Sequence, residues 1–296
     1  MACCTAMPDL VNKVGDVLRV STEYLAARNV YQPRQACELL LSRLLNCKRL
    51  EILVRFETRL SGKQLDAMRR GVKRLAAGEP VQYIAGEVEF MGHVFKVDRR
   101  ALIPRPETEL LVEAVLECPG IWQEADPLVA DVGTGCGCIA VSIALARPAA
   151  RCIAFDVAVE ALELAAENAH ALGALDRIRF ARGELSDTAD PDSLDAVVAN
   201  LPYIPSPVLD KLPVHIRNFE PRTALDGGPD GLSVISGAVP DAWFALKPGG
   251  LLCLEIGDDQ GGRVGTLLGD GEFEEVRVHK DLAGKDRIVT GIKKRS

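Results

Sequence analysis

The sequence predicts an α/β protein: a parallel sheet with helices on both faces, preceded by a small helical domain and a β-hairpin. Three observations carry this. From Pro127 onward, short β-branched runs alternate regularly with helical stretches, the pattern of repeated βα units. From about residue 9 to 77, apolar residues recur at helical spacing. Between these regions lies a short stretch with two-residue alternation. At 296 residues the chain exceeds the usual single-domain size. The expected division is a helical domain over 1–85, a hairpin and linker over 86–106, and the α/β domain over 107–296.

Composition narrows the class. Hydrophobic residues make up 48% of the chain, ample for a buried core. With 35 basic against 42 acidic residues, the net charge of -7 argues against general binding to a nucleic-acid backbone. The cysteines are odd in number, scattered through apolar segments and without a CxxC pair, which fits reduced cytosolic thiols better than disulfides or zinc. No apolar run approaches bilayer length, and the opening Met1-Ala2-Cys3-Cys4-Thr5 lacks the features of a secretory signal. A cytoplasmic protein with no metal is expected.

In the helical domain, Leu39, Leu40, Leu44 and Leu45 form one apolar face. Ser61 followed by Gln64 resembles a capping box for a helix through Met68 and Leu75, closed by Gly78-Glu79-Pro80. Val88, Phe90, Val94, Phe95 and Val97 alternate around Met91-Gly92-His93, a hairpin with His93 at the surface of its turn. In the stretch Leu102 to Glu109, Pro104 and Pro106 force an extended approach to a helix starting near Thr108. It is either a linker and cap, or it closes over a site with Arg105 and Glu107.

Strands are then expected at Leu128 to Val132, Cys152 to Phe155, Ile178 to Ala181, Leu194 to Ala199, Leu251 to Ile256, Glu275 to Val278 and Arg287 to Ile292. Helices are expected at Ile139 to Ala146 and Val159 to Leu172. Between the first strand and its helix lies Gly133-Thr134-Gly135-Cys136-Gly137, which lets a ligand approach the backbone at a positive helix end. Cys138 stands where a dinucleotide fingerprint needs a small third residue. Asp156 follows Gly135 by 21 residues and ends the next strand, the place for a carboxylate on ribose hydroxyls. The pair points to an adenosine-containing cofactor and leaves its identity open.

Asn200-Leu201-Pro202-Tyr203 follows the fourth of these strands, at the sheet edge where ligands bind. Pro202 keeps Leu201 extended. Asn200 Oδ1 and the Leu201 carbonyl can then accept both hydrogens of an NH2 group, with Tyr203 near its flat face. An ordinary strand-to-loop turn accounts for the same residues.

The spacing of Asp131, Gly133, Gly135 and Gly137, with no arginine after Asp156 for an extra phosphate, resembles the first motif of S-adenosylmethionine-dependent methyltransferases. With the Asn200 motif added, the chain resembles the HemK/PrmC family of protein glutamine methyltransferases. The helical start, Ile103 to Glu109, Ala224 to Gly228 with Asp230 to Leu232, and Asp281 to Arg287 all look like that family, from about residue 10 to 292. The resemblance implies a Rossmann-like class I S-adenosylmethionine-dependent methyltransferase fold. It implies methyl transfer to the glutamine amide of the Gly-Gly-Gln motif in class I peptide chain release factors, by a monomer with no direct nucleic-acid contact. Asn200, Pro202 and Tyr203 would be catalytic and, with Leu201, substrate-binding. Gly133, Thr134, Gly135, Cys136, Gly137, Asp156, Glu184, Leu185 and Asn200 would bind the cofactor, and residues 1 to about 85 the release factor. One residue departs: Leu201 stands where the family has proline, and Asn-Leu-Pro-Tyr is familiar from ribosomal RNA adenine dimethyltransferases. RNA adenine N6-methylation is therefore the alternative enzyme reading, and cofactor binding without catalysis the alternative outside enzymes.

Overall fold

The computed structural model describes residues 12–295. Cys3, Cys4, the opening pentapeptide and the first residues of the expected helical start lie outside them. The chain divides into two compact units. One holds the described residues up to Gly86 together with Val214–Phe219, and the other holds Glu87–Pro213 and the described residues from Glu220 onward.

The first unit is helical. It contains α1 (Val14–Ala26), α2 (Pro33–Leu45), a 3₁₀ turn at Arg49–Val54, α3 (Gly62–Ala76) and α4 (Val81–Ala85). Its core gathers Val17, Leu25, Leu41, Ile52 and Met68, all essentially buried. Leu40 belongs to this core and Leu44 and Leu45 pack against it, whereas Leu39 is only half-buried. Ser61 caps α3 as its spacing implied: its hydroxyl accepts from Gln64 N, and Gln64 Oε1 accepts from Ser61 N at 2.9 Å. The chain does not stay irregular after Pro80. A proline at the start of a helix has no N–H to leave unpaired, and α4 begins beside it.

The second unit opens with a hairpin, β1 (Glu87–Phe90) paired antiparallel to β2 (His93–Lys96). Then follow α5 (Glu109–Leu116), β3 (Leu128–Val132), α6 (Cys138–Ala146), β4 (Arg151–Asp156), α7 (Val159–Ala171), β5 (Ile178–Arg182) and β6 (Leu194–Ala199). The short α8 (Val214–Arg217) belongs to the helical unit. The second unit continues with α9 (Ser233–Ala245), β7 (Leu246–Glu255), α10 (Gly261–Asp270), β8 (Phe273–Lys280) and β9 (Asp286–Lys293).

Seven strands form one sheet in the order β5-β4-β3-β6-β7-β9-β8. The sheet is parallel except at β9, which runs antiparallel to both β7 and β8. The fully parallel sheet expected from the sequence is corrected there. A strand's composition does not encode its direction, and the short turn Asp281 to Lys285 returns the chain as a hairpin. Besides the short α4 and α8, two longer helices, α9 and α10, escaped the sequence reading. Pro240 sits inside α9, and glycines at 261, 262, 265 and 269 dilute the pattern of α10. Every residue of β6 is buried, as expected of a central parallel strand. The strand order reverses between β3 and β6, which pair directly with Val132 opposite Ala199. The glycine turn after β3 and Asn200 after β6 therefore leave the sheet side by side at its switch point, the crevice where such sheets bind ligands.

Candidate active site

The turn after β3 is held by its own backbone. Gly133, Gly135 and Gly137 all have positive φ. At Gly137 the need for glycine is double, because a Cβ there would also stand 2.9 Å from the Ala165 Cβ of α7. Gly137 N donates to Thr134 O and Thr134 N to Phe155 O, each at 2.8 Å. Asp131 lies beneath, fully buried. Its Oδ2 accepts from Thr134 Oγ1 at 2.7 Å and Ala140 N at 3.0 Å, and its Oδ1 has no partner among the described residues. Burial pushes its carboxyl up to about 7, against the bonds from Thr134 and Ala140.

Asp156 ends β4 with each carboxylate oxygen accepting one backbone N–H, from Gly135 and from Ala158, both at 2.9 Å. Each oxygen keeps a further lone pair. Glu184 precedes a short 3₁₀ turn, and its N–H donates to Asp187 at 2.8 Å; Leu185 is buried behind it. Asn168, which the sequence reading passed over, is 2% exposed and ties the turn to the hairpin. Its Nδ2 donates to the carbonyls of Cys136 and Lys96 at 2.9 and 3.0 Å, and its Oδ1 accepts from Lys96 N at 2.7 Å.

The Asn200 segment is held from farther away. Asn200 Nδ2 donates to Thr108 Oγ1 at 3.1 Å, so the amide's nitrogen is committed and Oδ1 remains as an acceptor. The Tyr203 hydroxyl donates to Glu255 Oε1 at 3.4 Å, and Gln260 Nε2 donates to the carbonyls of Tyr203 and Gly231 at 3.0 and 3.3 Å. Ile204 N donates to Leu225 O, and Gly227 N to Ile204 O at 2.9 Å. Gly227 lies so close that a Cβ there would meet Pro202 O and Tyr203 Cα at 2.8 Å. The run Ala224 to Gly228 thus serves as a backing strip for Pro202 and Tyr203. Asp281 closes the turn between β8 and β9 and holds Arg287 Nε at 2.9 Å.

A cavity of about 510 Å³ joins these parts. The glycine turn, Asp156, Glu184 and Leu185 line one side, and Asn200, Leu201 and Pro202 another. A face of α9 carrying Val234, Ala238 and Asp241 forms a wall that sequence reading missed along with the helix. Leu201 is buried with Cδ2 3.3 Å from where a Gly133 Cβ would stand. Of the Ile103 to Glu109 stretch, Thr108 rather than Glu107 reaches Asn200. Arg105 pairs at 2.5 Å with Glu220, whose side chain is fully buried.

Glu255, at the end of β7, also escaped the sequence reading. It is 2% exposed, and its Oε2 has no partner among the described residues. Burial pushes its carboxyl up to about 7; the Thr108 hydroxyl opposes this, Glu107 adds to it, and Arg287 and Tyr203 oppose it. Burial likewise raises the Tyr203 phenol. An acid ending an otherwise apolar strand was the one available signal.

Residues 16–86 match the family model described as the PrmC N-terminal domain, and residues 106–209 the Methyltransferase small domain. The chain is 39% identical over 281 residues to a release factor glutamine methyltransferase of Chlorobaculum tepidum, covering 93% of this chain and 95% of the relative. It is 44% identical over 268 residues to one of Moorella thermoacetica, covering 89% and 92%. A third, from Rhodopirellula baltica, is 36% identical over 278 residues, covering 93% and 94%.

Proposed function

Because the chain belongs to the release factor glutamine methyltransferase family, we propose that it methylates the side-chain amide nitrogen of a release-factor glutamine with S-adenosylmethionine. The target is the glutamine of the Gly-Gly-Gln motif of class I factors. The carrying observation is Asn200: its nitrogen is bonded to Thr108, its Oδ1 is free to accept, and it leaves the sheet beside the glycine turn.

The residues present fit S-adenosylmethionine. Asp156 has lone pairs left for ribose hydroxyls, the glycine turn leaves its backbone open, and Glu184 and Leu185 edge the same cavity. Bound there, the cofactor supplies an electrophilic methyl on a sulfonium. An amide nitrogen is a weak nucleophile because its lone pair is delocalised, so alignment must do most of the work. Alignment alone can lower a barrier by roughly 7 to 11 kcal/mol. Asn200 Oδ1 and the Leu201 carbonyl would each accept one hydrogen of the glutamine NH2, leaving the lone pair aimed at the methyl. The product nitrogen keeps one hydrogen and releases the other as a proton. Pro202 keeps the segment extended, and Tyr203 backs it.

The helical domain is read as the docking surface for the release factor, and the enzyme as a cytoplasmic monomer that acts on protein and not on nucleic acid. Among the described residues no helix is long and apolar enough to cross a membrane. The test is transfer of labelled methyl to purified release factor and, separately, to ribosomal RNA. Label on the Gly-Gly-Gln glutamine is expected; label on RNA adenine would move the reading to the Asn-Leu-Pro-Tyr alternative.

A further inference from the structure

The sheet order lays the cofactor out from end to end. β5, β4, β3 and β6 are consecutive neighbours, so Leu185, Asp156, the glycine turn and Asn200 follow their carboxyl ends in that same order. With adenine against Leu185, ribose on Asp156 and the sulfonium methyl aimed at Asn200, the amino-acid tail of S-adenosylmethionine must run past the glycine turn. This layout rests on the methyltransferase reading of the site. The tail's carboxylate gains from the backbone N–H groups that open α6, and it loses from any carbonyl oxygen turned toward it.

The peptide between Cys136 and Gly137 leads into α6. Glycine at 137 spares it the steric preference a side chain would impose, so hydrogen bonds must fix its orientation. Its N–H donates to Thr134 O at 2.8 Å. Its carbonyl oxygen accepts from Asn168 Nδ2 at 2.9 Å. Asn168 is 2% exposed and lies outside the cavity lining, so this carbonyl points into the protein. Nor is the Asn168 amide free to turn over: Oδ1 accepts from Lys96 N at 2.7 Å and Nδ2 also donates to Lys96 O at 3.0 Å.

We propose that Asn168 is a positioning residue for the amino-acid tail of the cofactor: by holding the Cys136 carbonyl inward, it keeps the glycine turn electropositive where the tail carboxylate sits. Its neighbour Glu167 makes a separate hold on the same side of α7. Glu167 accepts from Lys96 Nζ at 2.5 Å and from Arg100 Nη1 at 2.9 Å, and neither bond reaches the turn. The two residues therefore allow the carbonyl's orientation to be tested apart from the anchoring of the hairpin.

The test is calorimetry of the full chain with two ligands. S-adenosylhomocysteine carries the amino-acid tail, and 5′-methylthioadenosine has the same nucleoside without its carboxylate and amine. Asn168→Asp keeps the size and the acceptor toward Lys96 N but sets an oxygen against the Cys136 carbonyl. It should weaken S-adenosylhomocysteine at least about tenfold and leave 5′-methylthioadenosine within about threefold of wild type. Asn168→Ala, which adds no charge, should weaken S-adenosylhomocysteine at least about threefold more than 5′-methylthioadenosine. Glu167→Gln, which loosens only the exposed ion pairs, should change both ligands equally and by less than about threefold. Equal losses of both ligands in the Asn168 variants, or an unchanged S-adenosylhomocysteine affinity in folded Asn168→Asp, overturn the proposal. If Asn168→Asp fails to fold, Asn168→Ala decides by the same comparison. Failure of the underlying reading looks different: the wild type would then bind neither ligand.

Discussion

The two sides of the cavity are built by opposite means. Around the glycine turn, most bonds join near neighbours in sequence or adjacent strands: Gly137 to Thr134, Thr134 to Asp131, Gly135 to Asp156. The Asn200 segment is held across separations of 92 residues to Thr108, 57 to Gln260 and 52 to Glu255. Two consecutive βαβ units, β3 through β5, suffice to form the first side, whereas the second exists only once β6, β7 and α5 have come together. The sides still share a device: each has a buried carboxyl at or near a strand end, Asp131 or Glu255, with one oxygen that has no partner among the described residues. Local construction lets the cofactor side form from neighbouring elements alone, and distant construction lets several elements determine one amide's position.

Substitutions on each side should separate binding from chemistry, and the largest effect is expected on the distant side. Asn200→Ala removes one of two acceptors in a closed site, which costs on the order of 2.7 to 4 kcal/mol, or about a hundredfold to a thousandfold in rate. Labelled-methyl transfer measures it, and a rate within tenfold of wild type would refute the clamp. Asp156→Ala strikes the local side. The loss of a charge-assisted bond to ribose, worth about 1.5 to 3 kcal/mol, should weaken S-adenosylmethionine at least tenfold by calorimetry. An unchanged affinity in a folded mutant would break the assignment.

Gln260→Ala removes a buried donor and leaves the Tyr203 and Gly231 carbonyls to find other partners. At about 1 to 3 kcal/mol for such a loss, kcat should fall more than cofactor affinity. Equal losses in both would erase the distinction between the sides.

The shared carboxyls bear on stability. Asp131 and Glu255 have folded pKa values near 7, above their unfolded ones, so the folded state binds more protons at mildly acidic pH. Their contribution is fully present below about pH 4 and is lost as pH rises through about 7. Denaturant midpoints of the cofactor-free protein at about pH 5.5 and 8, with Asp131→Asn beside wild type, check this. The mutant should show a shallower decline, and an identical decline would remove Asp131 from the account.

The smallest effect is expected at Leu201→Pro. The Leu201 N–H donates to no described residue, and its carbonyl survives the change, but the side chain against Gly133 is trimmed. Transfer should stay within about threefold, the stiffer backbone offsetting the lost packing. A hundredfold loss would show that the leucine side chain shapes the cofactor side as well.

The same contrast explains what could be read from the sequence. β3, β4, β5 and β6 announce themselves as apolar runs bracketed by turn residues, and Gly133, Asp156 and Asn200 stand at their ends. Each is legible because strand ends define an α/β crevice. Thr108 was visible only as part of a linker, since its partner Asn200 becomes its neighbour through the sheet order. The reversal of β9 was hidden for a related reason: direction is set by the turn and the partner strand, not by the strand's own residues. In α9, Pro240 masked a helix that walls the cavity.

The ownership of Val214–Phe219 has a consequence for biosynthesis. The helical unit includes this segment, yet Glu87–Pro213 must be made before it appears. At about 5 to 20 residues per second, that intervening stretch takes roughly 6 to 25 s to synthesise. The first unit therefore waits, one segment short, while the strands through β6 emerge. Domains generally complete themselves in the order they leave the ribosome; here the first unit still receives its last residue first, at Phe219, but only after the greater part of the second unit has been made.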